Sequence, residues 1–84
     1  MKSVLYFSTE WCGPCKMFWP VAQEVCSAMG VSLQKVDAEQ NRELALQYSI
    51  SGVPAMIMLR DGVQVNRQVG VVSKSQLIDM LNHL

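Results

Sequence analysis

The chain has no surplus of charge of either sign: seven Lys and Arg balance seven Asp and Glu. A protein that tracks nucleic-acid phosphates carries a basic excess, so no nucleic-acid partner is expected. Long hydrophobic runs are missing as well. No apolar stretch approaches the roughly 18–20 residues of a membrane helix. The run Val4–Phe7 behind Lys2 is too short for the core of a secretory leader, which takes about 7–15 residues. The expectation is no membrane contact and a cytoplasmic location. Cysteine is scarce and odd in number, with only Cys12, Cys15 and Cys26. That is no disulfide framework. Histidine occurs once, as His83, whereas a structural zinc takes four ligands. Cys26 follows Cys15 by 11 residues, roughly 16 Å along a shared helix. That span excludes a Cys15–Cys26 disulfide and a metal ion held by both, so no metal is expected.

What is present points to one small globular unit. Half of the 84 residues are hydrophobic, too many for a disordered chain, and the length suits a single domain over 1–84. Ser3–Phe7 is β-rich and nearly all apolar, the pattern of a central strand covered on both faces. Ser8–Trp11 reads as a loop. Pro14 then opens a helix, with Met17/Phe18, Val21/Ala22, Val25 and Met29 at helical spacing. Pro20 is expected to kink that helix and Gly30 to cap its end. Val31–Val36 is the second strand, ending at Asp37. Asn41 is expected to cap a short helix through Tyr48, with Leu44, Ala45 and Tyr48 inward. After a loop at Ser49–Val53 comes a third strand, Ala55–Leu59. Arg60-Asp61-Gly62 is a hairpin turn. Val63, Val65, Arg67 and Val69 alternate with Gln64, Asn66 and Gln68, the pattern of a strand with an exposed face or edge. Ser73 and Gln76 form a capping box before Leu77, Ile78, Leu81 and Leu84. The fold class is therefore α/β, in the order βαβαββα. It is a four-stranded mixed sheet flanked by three helices, with the first two strands parallel and the last two antiparallel.

A lone Cys-x-x-Cys in such a chain reads as redox chemistry. Its surroundings sharpen that reading: Trp11-Cys12-Gly13-Pro14-Cys15-Lys16 resembles the active site of the thioredoxin family. Pro20 matches the family's kinking proline, and Lys35-Val36-Asp37 looks like its second-strand ending. Gly52-Val53-Pro54 is similar to a loop whose proline is cis. Asp61-Gly62 matches the hairpin turn, and Gly70 precedes the last helix as in the family. The matches run over nearly the whole chain. They imply a thioredoxin-like fold and a thiol–disulfide oxidoreductase that reduces protein disulfides. Cys12 and Cys15 would be its catalytic pair. Trp11, Gly13, Pro14, Val53, Pro54 and Gly70 would meet the substrate. The resemblance further implies no cofactor beyond the Cys12–Cys15 disulfide, a thioredoxin reductase or equivalent reductant as partner, and a monomer. There are two departures. The leading strand and helix of typical members are absent, leaving a minimal core of glutaredoxin size. Tyr6 stands where the family places a buried aspartate that helps deprotonate the second cysteine. Three outcomes are open at that position. A charged Lys35 favours the thiolates, a water carries the proton from Cys15, or resolution is slower.

The attacking species in disulfide exchange is a thiolate. Cys12 is expected at a helix N-terminus, where free N–H groups and the dipole favour negative charge. Gly13 adds little bulk beside it. Cys15 falls one turn deeper on the same side. Cys26 is expected as core filling, Trp11 as an exposed platform and Trp19 as core. Tyr6 is expected as a central-strand core aromatic whose hydroxyl needs a partner. Two other readings remain. A glutaredoxin-like carrier recharged by glutathione fits the length, although Gly70-Val71 replaces that family's Gly-Gly and Gly13-Pro14 its Pro-Tyr. A binding subunit of a larger assembly would use the rim of Trp11, Val53 and Gly70.

Overall fold

The computed structural model describes all residues, 1–84. Its elements follow the expected order: β1 (Lys2–Ser8), α1 (Gly13–Met29), β2 (Ser32–Asp37), α2 (Arg42–Gln47), β3 (Ala55–Arg60), β4 (Val63–Val69) and α3 (Lys74–Asn82). The strands form one sheet in the order β2-β1-β3-β4. β1 and β2 are parallel, as a helix-linked pair must be when the crossover returns to the same end. The other two neighbouring pairs are antiparallel.

Side chains alternate across a strand, so the two central strands feed two cores. Val4, Tyr6, Met56 and Met58 pack on one face against Phe18, Ala22 and Val25 of α1 and Leu77 and Leu81 of α3. Phe7, Ile57 and Leu59 pack on the other face with Val36 and with Ala45 of α2. Cys26 lies in the first core, 1 % exposed, as expected of a small apolar filler.

Helix ends follow local chemistry. Gly30 takes φ 67 and its N–H reaches the carbonyls of Cys26 and Ser27, which closes α1. Ser73 and Gln76 make the reciprocal capping box of α3. The hairpin turn uses Asp61 at φ 51 and Gly62 at φ 83, the pair of left-handed residues a tight two-residue turn requires.

Two expectations are corrected, the Asn41 cap and the core placement of Trp19. Asn41 precedes α2, but its side chain makes no cap. Its amide donates to the Asp37 carbonyl instead (3.0 Å), and the Asp37 carboxylate takes the N–H groups of Glu39 (2.8 Å) and Gln40 (3.1 Å). The turn after β2 is thus organised by the strand's last residue. β4 is an exposed edge strand, as its alternation predicts, and it carries a bulge: Met58 faces Asn66, yet Leu59 faces Gln64, leaving Val65 unpaired. Val63, Val65 and Val69 are all exposed there. Trp19 is half-buried rather than core, set edge-on against Tyr6 at 5.0 Å between ring centroids.

Candidate functional site

Strand register gathers the site. Ser8, the last residue of β1, lies beside Asp37, the last of β2. Phe7 is opposite Ala55, the first residue of β3, and Ala55 is opposite Val69, the last of β4. The segments Thr9–Cys12, Val53-Pro54 and Gly70–Val72 consequently leave the sheet at one end. The Val53–Pro54 peptide is cis, as expected. Pro54 is buried and Val53 half-buried. Gly70, at φ 89, donates its N–H to the Pro54 carbonyl at 2.8 Å. That bond ties the third of these segments to the second.

Cys12 is the N-cap residue of α1, with Pro14 in the first turn, where a missing N–H costs nothing. Its Sγ accepts the backbone N–H of Cys15 at 3.1 Å. A sulfur so placed faces the positive end of a 17-residue helix, which favours its anion. Cys12 is half-buried, while Gly13 and Pro14 beside it are exposed and Trp11 is 85 % exposed. Cys15 is buried at 2 % exposure and joined to Cys12 by a disulfide, with Cα atoms 5.2 Å apart. One sulfur thus meets solvent and the other is shielded beneath it.

Behind Cys15 stands Tyr6. It is fully buried, and its hydroxyl donates to the Cys15 backbone carbonyl at 2.7 Å. This is the partner the buried phenol requires. Burial pushes the phenol up to about 12, so it stays neutral and offers no base. Burial likewise pushes the Cys26 thiol up to about 11, the opposite of what a reactive thiol needs.

A cleft of about 590 Å³ opens onto Cys15, bounded by Trp11, Ser8, Glu10, Lys35 and Asp37 among others. Lys35 pairs with Tyr6 across the β1–β2 ladder. Its ammonium lies over the Trp19 ring, 5.1 Å from the centroid. Ser8, Glu10 and Asp37 were not singled out from sequence as site residues. Ser8 and Asp37 reach the cleft through strand register, which is invisible in the one-dimensional pattern, whereas Glu10 lies in the turn just before Cys12. No group of three or more His, Cys, Asp or Glu stands close enough to hold a metal ion.

Comparison with known proteins agrees with this geometry. A family model described as thioredoxin matches residues 1–83. The thioredoxin of Chlamydia trachomatis is 40% identical over 77 residues, spanning 90% of this chain and 76% of that protein. The thioredoxin of Bacillus subtilis is 38% identical over 78 residues, spanning 90% and 75%. Among solved structures, a single-site mutant of a thioredoxin from Halobacterium salinarum superposes with a TM-score of 0.93 at 32% identity, over 98% of this chain and 73% of that one. A half-exposed sulfur at a helix start, bonded to a shielded neighbour, carries out thiol–disulfide exchange in such a frame, and on these matches the chain belongs to the thioredoxin family of thiol–disulfide oxidoreductases.

Proposed function

We propose that Cys12 is the attacking thiolate and Cys15 the resolving thiol in the reduction of protein disulfides. In the dithiol form, Cys12 Sγ attacks one sulfur of the substrate disulfide. The Cys12–substrate bond forms, and the other substrate sulfur leaves as a thiolate and takes a proton. Cys15 then loses its proton and attacks Cys12 Sγ. The mixed disulfide breaks, the second substrate thiolate leaves, and two electrons have passed to the substrate. The protein is left with the Cys12–Cys15 bond seen in the structure. The observation that carries this reading is the position of Cys12, capping α1 with its sulfur on the Cys15 N–H.

The remaining roles rest on placement. Trp11, Gly13 and Pro14 offer an exposed, largely apolar rim beside Cys12. The segments carrying Val53, Pro54 and Gly70 leave the sheet at the same end, where the backbone of Val53 is available to an extended substrate strand. Tyr6 anchors Cys15 through its backbone. The Cys15 proton leaves by water in the cleft, and the Lys35 charge favours thiolate there. The pair is recharged by a thioredoxin reductase or an equivalent dithiol reductant. The chain is read as one domain over residues 1–84, working as a monomer in a reducing cytoplasm. The odd cysteine count supports the reducing compartment, and the two cores packed on one sheet support the single domain.

A Cys15→Ser variant tests the order of events. Incubated with a disulfide-bonded protein, it accumulates a mixed disulfide at Cys12, visible as an added mass that a reductant removes. Cys12→Ser accumulates none. Adduct formation at position 15 in Cys12→Ser would reverse the assignment. Turnover sustained by NADPH and thioredoxin reductase, and not by glutathione, separates this reading from a glutathione-coupled carrier.

A further inference from the structure

The short helix α2 ends with no basic residue in its last turn. The final carbonyls of a helix lack intrahelical donors and carry the negative end of its dipole. Here the donor comes from β4. Arg67 Nη1 donates to the Tyr48 carbonyl at 2.8 Å, and Nη2 donates to the Ser49 carbonyl at 3.2 Å. Arg67 is itself fixed in the sheet, opposite Ile57 of β3.

The two carbonyls begin the loop that leads to Val53 and Pro54. Ser49 takes φ 54, a left-handed conformation that a residue with a side chain holds only when its surroundings impose it. The loop's other end is tied to the residue that follows the same strand, through the Gly70 N–H on the Pro54 carbonyl at 2.8 Å. Between the ties, the Ile50 N–H reaches the Ala45 carbonyl at 2.8 Å, and Gly52 lies against Val69. β4 and the residue after it therefore clamp the loop at both ends, with a guanidinium fork at the entry and a backbone N–H at the exit.

We infer that Arg67 is a positioning residue for substrate binding: its fork sets residues 49–53 in the geometry that an extended disulfide substrate meets. This rests on the reading that Val53 and Pro54 line the substrate groove. Arg67 touches no reacting atom, so the chemistry at Cys12 does not depend on it. A guanidinium spans two carbonyls at fixed spacing and an ammonium does not, so Lys substitutes only in part.

The test compares Arg67→Met and Arg67→Lys in the full chain by three measurements. These are amide exchange of residues 49–53 against residues 4–7 of β1, KM and kcat for a protein disulfide, and the rate with a small aromatic disulfide. In Arg67→Met the loop amides exchange about tenfold faster while the β1 amides are unchanged, as loss of two charge-assisted bonds at one loop end implies. KM for the protein rises roughly fivefold, with kcat and the small-disulfide rate within about twofold, because binding and not chemistry is lost. Arg67→Lys falls between. Unchanged loop exchange overturns the inference. So does a parallel loss of protein and small-disulfide reduction, which marks general destabilisation. A freed loop with unchanged KM overturns it too, by showing that substrate does not use Val53, and leaves the Cys12 trapping result standing.

Discussion

At Cys12 the sulfur is served by backbone, not by a neighbouring side chain: the Cys15 N–H and the start of α1 are its electrostatic partners. Side chains act one layer further out. Tyr6 is committed to the Cys15 carbonyl and held neutral, which leaves Lys35 as the charged group most directly across the ladder from it. The Lys35 ammonium lies over Trp19 while the same residue borders the cleft behind Cys15. Lys35→Met keeps the stem and removes the charge. In the reduced protein, the midpoint of the pH profile for alkylation of Cys12 then moves up, since a nearby cation favours thiolate. An unmoved profile assigns Lys35 to Trp19 alone.

At the scale of elements, the helix ends behave differently according to where their donors come from. α3 is capped by its own residues, Ser73 and Gln76, across one turn. Ser73→Ala therefore costs about 1 kcal/mol in urea unfolding with no change in disulfide exchange. The Lys74–Glu24 pair at the same end is more than half exposed on both sides, and such pairs contribute little. α2 has no such local device: Asp37 organises its approach and Arg67 its exit. The bulge at Val65 re-aims β4, placing Arg67 opposite Ile57 on the face that α2 covers.

For the whole molecule, two buried protonated groups link stability to alkaline pH. Burial holds Cys26 at about 11 against an ordinary 9.0, and Tyr6 at about 12 against 10.0. Both folded values lie above the unfolded ones, so the folded chain keeps protons the unfolded chain releases. The stability this gives is complete below pH 9.0 and is lost as pH rises toward about 11 and 12. The urea midpoint of the oxidised protein falls across that window. Cys26→Val removes the part that begins near 9.0 and leaves the part that begins near 10.0. An unchanged slope in the variant shows that Cys26 is not the group titrating.

Local chemistry in the sequence determined the element order, the capping box at Ser73, the αL glycine at Gly30, the hairpin at Asp61-Gly62 and the placement of the two site cysteines one turn apart. Each of these is fixed by residues within about four positions of one another, where propensity, capping and turn geometry act. The family resemblance added the cis bond at Pro54. Only the tertiary structure decided the rest. Strand register brought Asp37, Lys35 and Ser8 around Cys15, gave the Tyr6 hydroxyl its carbonyl, unpaired Val65 and sent Arg67 to the end of α2. The Tyr6–Cys15, Arg67–Tyr48 and β1–β2 contacts join residues from 9 to 29 positions apart. No periodicity or spacing rule encodes such pairs, because they follow from how sheet and helices close around two cores.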